Sequence, residues 1–184
     1  MSDCTKKYGF FTYNDDGKPD FLDKTAYSVV QLLLSINTTV SIAESCTGGM
    51  LSQYITSVPG ASRIYELGMC SYSNRIKISE LGVSPDVIER FTEISAECAE
   101  AMAEGIMKKA SSDIGVGITG VAGPEAFEGN LAGTVFVSVC KAGRFLTMNL
   151  KLHEAYESLD RKMVRELSTG YALKMIENIL TIES

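Results

Sequence analysis

One histidine in 184 residues is the first scarcity of this sequence. It excludes the sites built from two or three imidazoles that hold many catalytic metal ions, and it directs the search for a catalytic base to other side chains. The five cysteines, Cys4, Cys46, Cys70, Cys98 and Cys140, are an odd number without a CxxC pair. That pattern fits neither a disulfide framework nor a zinc site, and the thiols read as reduced and mostly packed. A basic surplus is also missing. With a formal charge of −6 the chain offers no surface for neutralising a nucleic-acid backbone, although a small anionic ligand stays open. No apolar run approaches a membrane span, and "MSDCTKKYGFFTYNDDGKPD" holds no continuous signal-peptide core, so a cytosolic protein off the membrane is expected. Repeats, low-complexity tracts and linkers are absent, which leaves one domain whose 45% hydrophobic content suffices for a sizeable core.

What is present alternates between two periodicities. Residues 1–19 read as an irregular arm ahead of a domain over 20–184. Within "FLDKTAYSVVQLLLSIN", Phe21, Leu22, Ala26, Val29, Val30, Leu33 and Leu34 recur at helical steps. "TTVSIAE" then turns β-branched and strand-like. "MLSQYITSV" reads as helix ending near Pro59-Gly60, and "GMCSYSN" as a second strand. Ser95 is placed to cap a helix with Ala99, Met102, Ala103, Ile106, Met107 and Ala110 inward. "DIGVGITGVAGPE" gives a third strand that dissolves into a glycine loop. "GTVFVSVC" and "RFLTMNLKL" flank Lys141-Ala142-Gly143 as an antiparallel hairpin. A last helix, from about Tyr156 to Leu180, turns Val164, Leu167, Tyr171 and Met175 inward. Strands alternating with helices, plus one hairpin, predict an α/β fold: a three-layer α/β/α sandwich with a mixed sheet.

The stretch of interest is "SIAESCTGGM", where the first strand collapses into Ser45, Cys46, Thr47, Gly48 and Gly49 before a helix. Free backbone N–H groups and the positive helix end gather in such a turn, and glycines leave room for a ligand. Capping of the helix by Ser45 or Thr47 explains the same residues. A nucleophilic Ser45 needs a base. His153, in the outgoing hairpin strand, is one option and Lys77 another, provided the lysine is desolvated or crowded by positive charge. Cys46 is a rival nucleophile whose side chain points away from that of Ser45. Lys77 follows the second strand near Tyr72 and Asn74, and loops after parallel strands converge at their carboxyl ends. Arg161 and Arg165, four apart, share a helix face suited to a phosphate or carboxylate. A solvated charged face is the plain alternative. The residues alone therefore lead to a glycine-rich α/β site for a small anion, with Ser–Lys hydrolysis one of several chemistries.

Eight stretches taken in order resemble one family: "AESCTGG", "VPGAS", "YSNRIK", "LGV", "MAEG", "ITGVAGP", "GTV" and "DRKMVR", over roughly residues 20–180. The family is the C-terminal domain of CinA proteins, the nicotinamide-nucleotide amidohydrolases. The resemblance implies hydrolysis of the carboxamide of nicotinamide mononucleotide to nicotinic acid mononucleotide and ammonia, in pyridine-nucleotide recycling, without metal or cofactor. By the same likeness Ser45 is the nucleophile, Lys77 its base, Tyr72 a support of the proton relay and Arg161 a functional arginine. The resemblance further implies that Thr47, Gly48, Gly49, Asn74, Thr119, Gly120, Gly123 and Arg165 surround the substrate. A homo-oligomer, dimer or larger, is implied as well. Two other readings accompany this one: a nucleotide-binding homologue without turnover, since "EAFEGNLAG" at 125–133 departs from the family pattern, and a Ser–Lys amidohydrolase for another small amide.

Overall fold

In the computed structural model, which describes residues 20–181, the chain opens with helix α1, Asp20–Ser35. The expected arm over 1–19 lies outside the described residues. Leu22, Ala26, Val29, Val30 and Leu33 of α1 are all buried, as their three- and four-residue spacing requires of a helix packed on one face. Strand β1, Val40–Glu44, follows and is buried along its whole length. Helix α2, Met50–Thr56, and strand β2, Tyr65–Cys70, come next. The second strand thus begins ahead of the expected "GMCSYSN". Its burial alternates residue by residue, as at a sheet edge with one solvated face.

Helices α3, Asn74–Leu81, α4, Pro85–Phe91, and α5, Ala96–Ala110, lead to strand β3, Ile114–Gly120. Ser95 caps α5 as its sequence predicts, its hydroxyl accepting the Cys98 amide at 3.1 Å. Strands β4, Val135–Lys141, and β5, Arg144–Asn149, form the hairpin. Its two turn residues, Ala142 and Gly143, have φ of 50° and 77°, the left-handed pair that matches strand twist in a two-residue hairpin. A short helix α6, Leu152–Ala155, and a long one, α7, Arg161–Thr181, end the described chain. His153 therefore sits on α6 and not in the hairpin strand, and α7 starts later than the expected Tyr156.

The sheet order is β2-β1-β3-β4-β5. Strand β1 runs parallel to β2 on one side and β3 on the other, and β4 and β5 complete the sheet antiparallel. Helices α1, α2 and α7 cover one face, over Ile42, Val116, Ile118 and Val137. Helix α5, with α3 and α4 against it, covers the other over Ala43. This is the three-layer arrangement with a mixed sheet. The glycines of "IGVGITG" make the second layer close: a Cβ at Gly115 would lie 2.0 Å from the Ala103 carbonyl oxygen, and one at Gly117 2.1 Å from that of Ala99. Helix α5 thus rests directly on the β3 backbone.

Candidate functional site

The chain leaves β1, crosses to β2 on one side and returns to β3 on the other, so the carboxyl end of β1 is a point where the strand order switches. Open α/β sheets bind ligands outside such points. A cavity of about 430 Å³ opens there. Ser45 supplies its wall from the end of β1, Tyr72 and Lys77 from behind β2, and Thr119, Gly120 and Gly123 from the end of β3 and its loop. Arg161 reaches in from the first turn of α7. The predicted convergence of three loops is thus observed, and it unites seven of the residues selected from sequence.

Lys77 is 1% exposed, an unusual setting for this side chain. Its Nζ donates to the Tyr72 carbonyl at 3.4 Å. Ser73 caps α3 through its hydroxyl, which accepts the Ile76 amide, and so directs the first turns of that helix, and Lys77 with them, toward the cavity. Ser45 is 8% exposed, and its amide donates to the Ile118 carbonyl at 2.9 Å, tying the turn to β3. Arg161 donates through Nη1 to the Gly123 carbonyl at 2.8 Å and through Nη2 to the Tyr72 hydroxyl at 3.0 Å, joining two walls of the mouth. Cys46, the rival nucleophile, is buried, and burial pushes its thiol up to about 12. It is a packed thiol rather than a thiolate at neutral pH.

Five expected site residues stand behind the wall and not on it. The Gly49 amide donates to the Glu44 carboxylate at 3.1 Å, together with the amides of Leu51 and Ser52 and the Ser52 hydroxyl. The anion at this helix start is therefore the protein's own. Gly48 is exposed and its amide donates to the Ser45 carbonyl at 3.0 Å. Thr47 does not cap α2: Gly49 occupies the cap position, and the buried Thr47 hydroxyl has no partner among the described residues. Its carbonyl instead accepts two bonds from Arg165, which thereby holds the turn. Asn74 donates from Nδ2 to Glu93. Of the turn amides this leaves those of Cys46 and Thr47, which lie against the Cys46 sulfur.

Two acidic residues were not selected from sequence. Glu44 is fully buried and serves as the helix cap from five residues upstream of Gly49. Glu93 lines the cavity. Neither has a signal in spacing: a glutamate at a strand end or just ahead of a helix cap is ordinary. Ile94, Val121, Ala122 and Phe127 add apolar wall. Among the described residues no group of three or more His, Cys, Asp or Glu is placed to hold a metal ion, and no helix is long and apolar enough to cross a membrane.

The family model described as the CinA C-terminal domain matches residues 22–180. A CinA-like protein of Syntrophotalea carbinolica is 38% identical over 156 residues, which is 84% of this chain and 37% of that relative. The chain thus spans much less than the full length of that curated relative. A crystal structure of a competence-damaged protein (CinA) superfamily protein from Escherichia coli has a TM-score of 0.81 at 26% identity, covering 95% of this chain and 98% of that one. The competence/damage inducible protein CihA of Agrobacterium tumefaciens is equally similar in fold, with a TM-score of 0.81 at 26% identity over 87% of this chain and 96% of that one.

Proposed function

Because the chain belongs to the CinA C-terminal domain family, we propose that it hydrolyses the carboxamide of nicotinamide mononucleotide, with water, to nicotinic acid mononucleotide and ammonia. The observation that carries this reading is that Ser45 and Lys77 line one cavity, with Tyr72 and Arg161 at its mouth. A hydroxyl becomes a competent nucleophile when a neighbouring base takes its proton, and Lys77 is a buried basic side chain lining the same cavity.

In the proposed sequence, Lys77 takes the Ser45 proton as Oγ attacks the amide carbon. Lys77 returns the proton to nitrogen, the C–N bond breaks and ammonia leaves an acyl-serine. Water, deprotonated by the same lysine, attacks the ester carbon and frees the carboxylate and Ser45. Arg161 steadies the ribose phosphate at the mouth, where its two hydrogen bonds already fix its plane.

The test is direct. Purified protein is incubated with nicotinamide mononucleotide, and ammonia and nicotinic acid mononucleotide are measured, alongside Ser45→Ala and Lys77→Ala. Both variants are expected to lose about 10³-fold or more in kcat. Undiminished turnover by Ser45→Ala rules out the acyl-serine mechanism. Nucleotide binding by the wild type with no ammonia released points to a binding homologue.

A further inference from the structure

Glu93 lines the cavity but has no task in the steps above. Its position is fixed from two sides. One carboxylate oxygen, Oε2, accepts from Asn74 Nδ2, and its main-chain carbonyl accepts the Thr119 hydroxyl at 2.6 Å. Asn74 precedes Lys77 by one helical turn on α3 and so shares its face. Thr119 follows Ile118, whose carbonyl holds the Ser45 amide. Glu93 is accordingly tied to α3, which carries Lys77, and to the end of β3, which holds the Ser45 amide, at the inner end of the cavity. Arg161 with its partners Gly123 and Tyr72 marks the mouth, where the second acid of the wall, Glu125, is exposed to solvent. The charges of Lys77 and Glu93 both act on the buried Cys98 thiol, in opposite senses.

An ionised carboxylate accepts hydrogen bonds and donates none. With Oε2 taken by Asn74, Oε1 of Glu93 has no partner among the described residues. A primary carboxamide brings two N–H donors to such an oxygen. The acid formed from it brings none, and adds a second negative charge to a partly desolvated site, where like charges disfavour one another. Resting on the deamidase reading, we propose that Glu93 is a specificity-determining residue that distinguishes substrate from product at the reacting group, accepting an amide N–H and repelling the carboxylate. The same contact that holds the amide then drives the acid out after hydrolysis.

Calorimetric titration tests this on the Ser45→Ala protein, in which the amide is not consumed. Nicotinamide mononucleotide and nicotinic acid mononucleotide are each titrated into that protein and into its Glu93→Gln and Asn74→Ala derivatives, with thermal melts by circular dichroism to confirm folding. The amide is expected to bind about tenfold or more tightly than the acid. Glu93→Gln, which keeps the shape but removes the charge and can donate, narrows that gap about tenfold, chiefly by tightening the acid. Asn74→Ala frees the carboxylate to move and narrows it less. Equal weakening of both ligands means that Glu93 meets a part they share, such as a ribose hydroxyl, and overturns the proposal, as do an unchanged ratio and a failure of both to bind. Ammonia release by the wild type is a separate readout. A shifted ratio without ammonia leaves the role of Glu93 standing and removes the deamidase reading, while normal ammonia release with an unshifted ratio removes the role of Glu93 alone.

Discussion

Arg165 grips the carbonyl of Thr47 with two nitrogens, Nε at 3.1 Å and Nη2 at 2.8 Å, across 118 positions of sequence. Thr47 is the second residue after Ser45, so the long helix α7 holds the Ser45 turn in place from outside the cavity. Arg165→Ala is therefore expected to lower kcat about 10²-fold, the scale of an ångström of misplacement at a reacting centre, while the Kd of nicotinamide mononucleotide changes little. Arg161→Ala should behave oppositely, raising KM more than it lowers kcat. Steady-state kinetics on the two variants separate the roles, and a KM-dominated defect in Arg165→Ala would return that residue to the substrate.

Glu44 is the other anchor. Its buried carboxylate accepts three amides and one hydroxyl from the start of α2, bonds of the charge-assisted kind. Glu44→Gln keeps the shape but puts an N–H where at least one donor must be met. A loss of about 2–3 kcal/mol follows from one such buried mismatch, or a fall in Tm of about 5–10 °C for a domain of this size. Urea and thermal unfolding measure it. A variant as stable as wild type would show that the turn amides find other acceptors.

The layers and the convergence of loops were legible in the sequence because they follow from periodicity. Leu22, Ala26, Val29, Val30 and Leu33 declare one helix face, the residues of "IGVGITG" a strand, and Ala142-Gly143 a hairpin turn. The supports of the site were not legible, because each depends on a long-range partner. Glu44 becomes a helix cap only once α2 folds back on β1, Arg165 meets Thr47 only once α7 packs over the sheet, and Glu93 is held at the cavity by Asn74 and Thr119. Helix α3 escaped notice for a local reason. "NRIKISEL" carries few apolar residues, and the longest of its inward side chains is Lys77, which reads as solvated until the fold covers it.

The glycine at 117 makes a packing prediction. A methyl group there would lie 2.1 Å from the Ala99 carbonyl oxygen and 2.8 Å from the Ala103 amide nitrogen, both backbone atoms of α5 that cannot turn aside. Gly117→Ala must push α5 off β3, a form of overpacking that costs about 1–3 kcal/mol or more. The Ser95 cap and Cys98 move with that helix, so the variant should melt lower. Gly143→Ala, where nothing lies within 4 Å but φ is 77°, is expected to cost only about 1 kcal/mol of backbone strain. Equal melting temperatures for the two would contradict the close approach of α5.

Burial pushes the Cys46 thiol from its ordinary 9.0 up to about 12, with consequences for reactivity and for stability in alkali. A group whose folded pKa is raised keeps its proton in the native state while the unfolded chain releases it. The contribution to stability is complete below pH 9 and is lost as pH rises from about 9 toward 12. The slope is on the order of 1.4 kcal/mol per pH unit for one such thiol. Cys98, pushed up to about 11, acts in the same direction over a narrower range. Urea midpoints at pH 8, 9 and 10 should fall for the wild type and fall less steeply for Cys46→Ala. At pH 8 the protonated thiol should resist iodoacetamide, and Cys46→Ala should keep its ammonia release while Ser45→Ala loses it. Rapid alkylation of Cys46 with parallel inactivation would transfer the nucleophile's role from the serine to its neighbour.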